Sequence, residues 1–250
     1  MTTEQWRERL PSLTGNLLSL REIEYCDASS LLCLITEDPY VRQYISSPPP
    51  SIEAYEGFVE WCHRNRAAGT SVCFAIVPHG LRQAVGMFQV RSLGEKFLSA
   101  EWGFVLGSAF WSTGVFEEAA ALVADFAFGT LHVQRLEARA ATVNKRGNGA
   151  LTKLGAVGEA ILRQALERDG TYHEQLLWSI LAEEWNARRV LERDRFSEVL
   201  VKQSIQDAIG QMQQHLTVAA PKRSSPDTPL YPFFIGARAR PGDGGNDSSE

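Results

Sequence analysis

Apolar positions recur along this chain with two different periods, and the change from one to the other is sharpest between Glu101 and Gly155. Glu101 to Gly107 alternates and is rich in β-formers, Ser108 to Gly114 is a hydroxyl-bearing break with a glycine, and Val115 to Gly129 then runs at helical spacing. Val115, Ala119, Leu122 and Phe126 make one stripe, and Phe116, Ala120, Val123 and Ala127 make its neighbour. Two adjacent stripes predict a wide apolar face packed on a sheet. The first turn of that helix faces outward from the sheet edge. Its free N–H groups and the positive end of the dipole make an anion site suited to phosphate.

The same reading covers the flanks. Asn16 to Glu22 predicts a first strand, and Asp27 caps a helix that must end before Pro39. After the stiff Ser46 to Pro50 loop, Ser51 caps a second helix with Ile52, Tyr55, Val59 and Cys62 on one face and Gly69 as its stop. Val72 to Val77 and Ala84 to Arg91 form a hairpin around Pro78 and Gly80, and Ala100 to Leu106 is the next strand. Beyond the central helix come a strand over Val133 to Ala141, a short helix over Gly147 to Leu154, and a closing hairpin of Ala160 to Leu166 with Glu174 to Leu181. The order β-α-α-β-β-β-α-β-α-β-β predicts an α+β fold, a mixed and mostly antiparallel sheet flanked by helices.

Residues 13–187 form the expected domain. Residues 188–216 are its helical extension, within a helical stretch that starts at Ala182 and carries an imperfect apolar stripe through Ile205, Ile209 and Met212. Residues 217–250, dominated by Pro, Ser, Gly and Asp, are expected to be a disordered tail, interrupted by an apolar island at Pro229 to Gly236. A net charge of -5 argues against a nucleic-acid partner, and no apolar run suggests a membrane span. The N-terminus mixes charges of both signs without an apolar block, so a cytoplasmic protein is expected. Cys26, Cys33, Cys62 and Cys73 are widely spaced and read as reduced core or near-core thiols, and no pair of histidines has ligand spacing, so no metal is expected.

Taken together, Glu101–Leu106, Phe110–Gly114, Glu117–Phe128, Arg135–Ala156 and Trp178–Trp185 resemble the GNAT acetyltransferases. The resemblance runs from about Leu13 to Trp185, specifically to the branch similar to ribosomal-protein N-terminal (RimJ/RimL-like) acetyltransferases. It implies an acyl-CoA acyltransferase fold with acetyl-CoA between the strand ending near Leu106 and the strand starting near Val133. The diphosphate would lie on the N–H groups of Ser112, Thr113, Gly114, Val115 and Phe116, and the pantetheine arm would pair with the backbone of Gly103 to Leu106. Asn144, Asn148 and Lys153 match the segment that lies along the cofactor. Two departures stand out. The family's loop opens on a basic residue or glutamine and has a small residue where Phe116 stands, whereas this loop opens on Trp111. A hydroxyl-bearing position is occupied by Gly147, which removes a side-chain proton donor to the departing thiolate.

Acetyl transfer to an amine needs a neutral amine, a stabilised oxyanion and an acceptable leaving group. Glu101 is the carboxylate best placed by sequence to accept the proton, directly or through water, or else it is a strand-edge salt bridge. Arg135, Glu137 and Arg139 share one face at period two and predict a cross-strand charge ladder. A main-chain N–H near Val105 or Leu106 could hold the carbonyl oxygen. Asn144 either binds the pantetheine amide or caps the short helix. Tyr172 and His173, in the last hairpin turn, could touch an acceptor peptide, and the tryptophans, Trp111 included, are expected to be packing residues. The expectation is an N-acetyltransferase working by direct transfer from acetyl-CoA to a primary amine, a protein N-terminus or a small molecule, as a monomer or homodimer. The competing reading is a non-catalytic acyl-CoA-binding or interaction module.

Overall fold

In a computed structural model of the chain, residues 5–45, 47–94, 96–168, 170–192 and 205–210 are described. The elements are β1 (Leu13–Thr14), β2 (Leu18–Glu22), α1 (Ala28–Leu31) running into a π turn at Leu32–Thr36, α2 (Pro39–Arg42), α3 (Ile52–Ala67), β3 (Ser71–Pro78), β4 (Gly86–Ser92), β5 (Ser99–Leu106), α4 (Val115–Gly129), β6 (Arg135–Ala141), α5 (Lys145–Lys153), β7 (Val157–Arg168), β8 (Thr171–Leu181) and α6 (Ala182–Glu192). One eight-stranded sheet has the order β1-β2-β3-β4-β5-β6-β8-β7. Every neighbouring pair is antiparallel except β5 and β6, as expected of a mixed sheet.

Helices cover both faces of its centre, so β3 is buried along its whole length instead of alternating. On one face α4 buries Val115, Ala119, Ala120, Val123, Phe126 and Ala127, with Phe126 edge-on to Phe74 at 5.1 Å between centroids. On the other, α3 buries Tyr55, Phe58, Val59 and Cys62, and the Cys62 thiol, pushed up by burial, meets that of Cys73. Ser51 caps α3 as expected, accepting from the Ala54 N–H at 3.2 Å. Cys26, by contrast, is exposed.

The helix expected after Asp27 begins there and ends before Pro39 as expected, its second half wound as a π turn, and Asp27 stands at its N-cap position without a side-chain cap bond. Its carboxylate is fully buried, where it accepts from both Nη1 and Nη2 of Arg21 at 2.7 Å and from the N–H groups of Glu24 and Ala84 at 2.9 Å. A carboxylate so committed ties β2 to the segment before β4 and is not available to the first N–H groups of α1. The chain then relaxes through the Glu37 N–H to Leu32 C=O bond and restarts at α2, where Asp38 caps the Tyr40 N–H and Pro39 takes the first position. The closing hairpin is longer than its apolar core suggested, and β8 lies between β6 and β7.

The Ala182 helix begins as expected. Trp185 is buried and donates Nε1 to Asp125 on α4 at 2.8 Å. Residues 205–210 are helical and bury Ile205, Ala208 and Ile209, whereas 193–204, Met212 and the tail from 217, including Pro229 to Gly236, lie outside the described residues. Among the described residues no helix is long and apolar enough to cross a membrane.

Candidate active site

Strands β5 and β6 are paired only at Ser99 with Arg135, Ala100 with Leu136 and Glu101 with Glu137. Beyond that rung they diverge, and the wedge between them is a cleft of about 530 Å³. One wall is Phe104, Val105, Leu106, Trp111, Ser112 and Phe116, another runs along α5 from Asn144 to Lys153, and Val41, Tyr44 and Ile45 also line it. The main chain of β5 decides what the cleft is offered. Gly107 donates to the Val85 C=O at 2.9 Å, and Val105 stands opposite Met87, so the odd-numbered residues point their polar groups at β4. Phe104 and Leu106 therefore turn theirs into the cleft, and the Leu106 C=O takes the Trp111 indole N–H at 2.9 Å. Of the expected oxyanion donors, Leu106 faces the right way and Val105 does not, while Phe104 does.

At the broad end of the wedge the chain turns sharply through two left-handed residues, Ser112 (φ 61°) and Gly114 (φ 86°), the second of which a side chain would strain. Thr113 is buried and braces the turn by donating to the Phe110 C=O at 2.7 Å. The first α4 bond is Glu118 N–H to Gly114 C=O at 3.1 Å, so the N–H groups of Val115, Phe116 and Glu117 precede the helical ladder. Phe116 turns toward the sheet, its ring centroid 4.6 Å from that of Phe104 and 5.8 Å from that of Phe88. It forms part of the cleft wall. Glu118 points away, accepting from the Asn16 and Leu17 N–H groups at 2.6 and 2.9 Å, which fastens the β1–β2 turn to α4. Glu117 stays on the cleft, 3.9 Å from the Lys153 ammonium at the end of α5.

Asn144 is both buried and on the cleft, and it caps α5 by accepting from the Gly147 N–H at 2.9 Å. A Cβ at Gly147 would lie 2.6 Å from Asn144 Nδ2, so a side chain there would require that amide to shift. Asn148 is not brought to the cleft. Its Nδ2 donates to the carbonyls of Ala141 and Asn144, and its Oδ1 accepts from the Trp178 indole, all at 2.9 Å. That amide ties α5 to β6 and β8.

Glu101 lies on the opposite sheet face from Phe104, 4% exposed, with one oxygen 2.5 Å from Arg91 and the other 2.6 Å from Arg139. Arg139 reaches Glu137 at 3.4 Å, Arg135 reaches Glu137 at 2.8 Å and Glu159 at 2.5 Å, and Ser179 donates to Glu159 at 2.6 Å. The ladder thus crosses β4, β5, β6, β8 and β7. The Arg135 guanidinium, helped by the Ser179 hydroxyl, holds the Glu159 carboxyl down to about 2, and Glu159 with Glu137 raises Arg135 in turn. A second groove of about 840 Å³ includes Arg139, Tyr172, Glu174, Gln175 and Leu177. Tyr172 is 63% exposed there.

Among the lining residues that the sequence did not single out, Tyr44 and Arg146 bear most on the chemistry. Tyr44, just beyond α2, is one of the residues lining the cleft. Arg146, in the first turn of α5, lies with its guanidinium carbon 4.5 Å from the centre of the Trp111 ring and donates Nη1 to Ser112 Oγ at 3.5 Å. Trp111 is thus more than a packing residue.

The model for the acetyltransferase (GNAT) domain matches residues 18–157. The chain is 25% identical over 171 residues to the uncharacterized N-acetyltransferase YoaA of Bacillus subtilis, covering 68% of this chain and 97% of that protein. Among solved structures, RimJ of Mycobacterium smegmatis in complex with CoA-disulfide superposes with a TM-score of 0.64 at 22% identity, covering 71% of this chain and 92% of that one. The ribosomal-protein-S5-alanine acetyltransferase of Vibrio fischeri gives 0.63 at 17%, covering 70% and 98%.

Proposed function

Because the chain belongs to the GNAT acetyltransferase family, whose members use acetyl-CoA, we propose that it moves an acetyl group from acetyl-CoA to a primary amine by direct transfer within a ternary complex. The observation that carries this reading is the wedge between β5 and β6. It combines outward main-chain amides along one wall with a helix start and its unladdered N–H groups at the broad end. An amide-bearing arm ending in a diphosphate matches that order of donors. Bound there, acetyl-CoA supplies an activated acyl group.

The chain's own residues do the rest. The turn from Ser112 to Phe116 holds phosphate oxygens through main-chain N–H groups, with Lys153 at the rim. Asn144 holds the α5 start in place, and of the outward β5 amides at Phe104 and Leu106 one takes charge developing on the thioester oxygen while the other pairs with the amide-bearing arm. Tyr44 supplies the hydroxyl that Gly147 lacks and donates a proton to the departing thiolate. Glu101, with both oxygens engaged by guanidinium groups, fixes the last rung of the β5–β6 pairing and positions the wedge. A strong base is not required for an α-amine, whose pKa is about 8, whereas a lysine at about 10.4 would need one. That difference favours a peptide N-terminus as acceptor. The second groove, polar at Arg139, Glu174 and Gln175 and apolar at Leu177, offers a peptide both backbone and side-chain contacts. The likeness to ribosomal-protein acetyltransferases is in keeping with a protein acceptor.

The absence of a hydroxyl at Gly147 favours one competing reading, a module that binds acyl-CoA without turnover. Calorimetry with acetyl-CoA, paired with thiol release over a panel of short peptides and small amines, decides between them. Binding with release supports the transferase, and binding without release on any acceptor supports the module. No binding at millimolar acetyl-CoA refutes both.

A further inference from the structure

We infer that Arg146 is the diphosphate clamp of this protein, supplying from α5 the positive charge that the turn before α4 does not carry. The inference rests on the acetyl-CoA reading of the cleft and adds a residue to it. Three observations lead there. Arg146 is exposed and belongs to the cleft wall, yet no carboxylate pairs with it among the described residues, whereas Arg91, Arg135 and Arg139 are each matched to one or two. Its guanidinium rests on the Trp111 ring at 4.5 Å, and that ring is itself fixed by the 2.9 Å indole bond to the Leu106 C=O. Finally, its Nη1 already reaches Ser112 Oγ at 3.5 Å, beside the N–H groups that open α4.

A guanidinium held on an aromatic face is ordered before any anion arrives, leaves edge N–H donors beyond the one shared with Ser112, and so loses little entropy on binding. The charges on the cleft agree. Lys145, Arg146 and Lys153 stand against Glu117 alone, and Glu118 is turned away to the β1–β2 turn. Trp111 and Arg146 therefore act as a unit. The tryptophan at the head of the turn carries no charge of its own but positions one from across the cleft.

The test measures CoA, 3′-dephospho-CoA and pantetheine by calorimetry against the wild-type chain, Arg146→Ala and Arg146→Lys. Arg146→Ala should weaken both CoA and dephospho-CoA by about tenfold to a hundredfold, the worth of a hydrogen bond to a charged group, and leave pantetheine unchanged. Arg146→Lys should fall between the two, since it keeps the charge and loses the planar fork. Equal CoA affinity in wild type and a folded Arg146→Ala overturns the clamp while leaving the acetyl-CoA reading intact. A loss confined to CoA would move the contact to the 3′-phosphate, and an equal loss for pantetheine would make Arg146 a structural residue. Either result sinks the assignment. Failure of the wild type to bind CoA would instead remove the functional reading beneath it.

Discussion

Replacing Glu101 with glutamine separates a scaffold role from a proton-accepting one. The carboxylate is 4% exposed and bridges Arg91 and Arg139 at 2.5 and 2.6 Å. Glutamine keeps one acceptor oxygen but sets an NH₂ donor against the other guanidinium. Arg139 retains Glu137 at 3.4 Å, whereas Arg91 has no second carboxylate among the described residues, so the loss falls mainly on Arg91. Breaking a buried pair from one side costs about 3–5 kcal/mol; with both arginines partly exposed and one acceptor kept, about 2–4 kcal/mol is expected. For a domain of this size that is a fall in Tm of about 5–15 °C. Well below the transition, thiol release with a peptide acceptor should retain most of its kcat. Loss of a general base would instead lower kcat by about 10²–10⁴-fold. A Glu101→Gln protein that melts with the wild type but turns over a hundredfold more slowly would refute the scaffold assignment and restore Glu101 as the base.

Three further outcomes follow from the geometry. Phe116→Ala removes a half-buried ring packed on Phe104 and Phe88 and should cost about 2–3 kcal/mol in chemical denaturation. Because the phosphate donors nearby are main-chain groups, acetyl-CoA affinity should change by less than about tenfold, and abolished binding in a folded variant would contradict this. Tyr44→Phe should lower kcat by about tenfold to a hundredfold at unchanged acetyl-CoA affinity if the phenol is the proton donor; an unaltered kcat removes it from that role. Glu159, held down to about 2, gives stability that is complete above the ordinary carboxylate range and is lost as the pH falls from there through its folded value. With 36% of its side chain exposed the effect is small, and Glu159→Gln should flatten the acid limb of a pH–melting curve; identical limbs would show that the pair with Arg135 carries no linkage.

Where the sequence was legible, one local pattern decided the outcome. The apolar stripes of α4, its start after a glycine, and the period-two charges of β6 all appear where residue spacing put them. Where reading failed, the deciding partner was remote. Asp27 has the chemistry of a cap, but Ala84, 57 residues on, claims its carboxylate together with Arg21. Glu101 had two open readings because its partners, Arg91 and Arg139, are set by register across three strands. Asn148 sits in the matching segment, yet its amide is spent on Trp178 and two carbonyls. Arg146 left no trace because its contact with Trp111 spans 35 positions and follows no periodicity.

The bond from Glu118 to the Asn16 and Leu17 amides bears on where the working unit begins and ends. The stretch that matches the family, 18–157, starts just after those two donors and stops as β7 opens. Cut at those limits, the chain would leave an acid one turn into the phosphate-side helix without its amides. It would also strip β6 of β8, which pairs with it from Arg135 to Ala141. The smallest piece able to shape the wedge therefore reaches from the first short strand through the last, and a shorter clone that proves inert would say nothing about the enzyme.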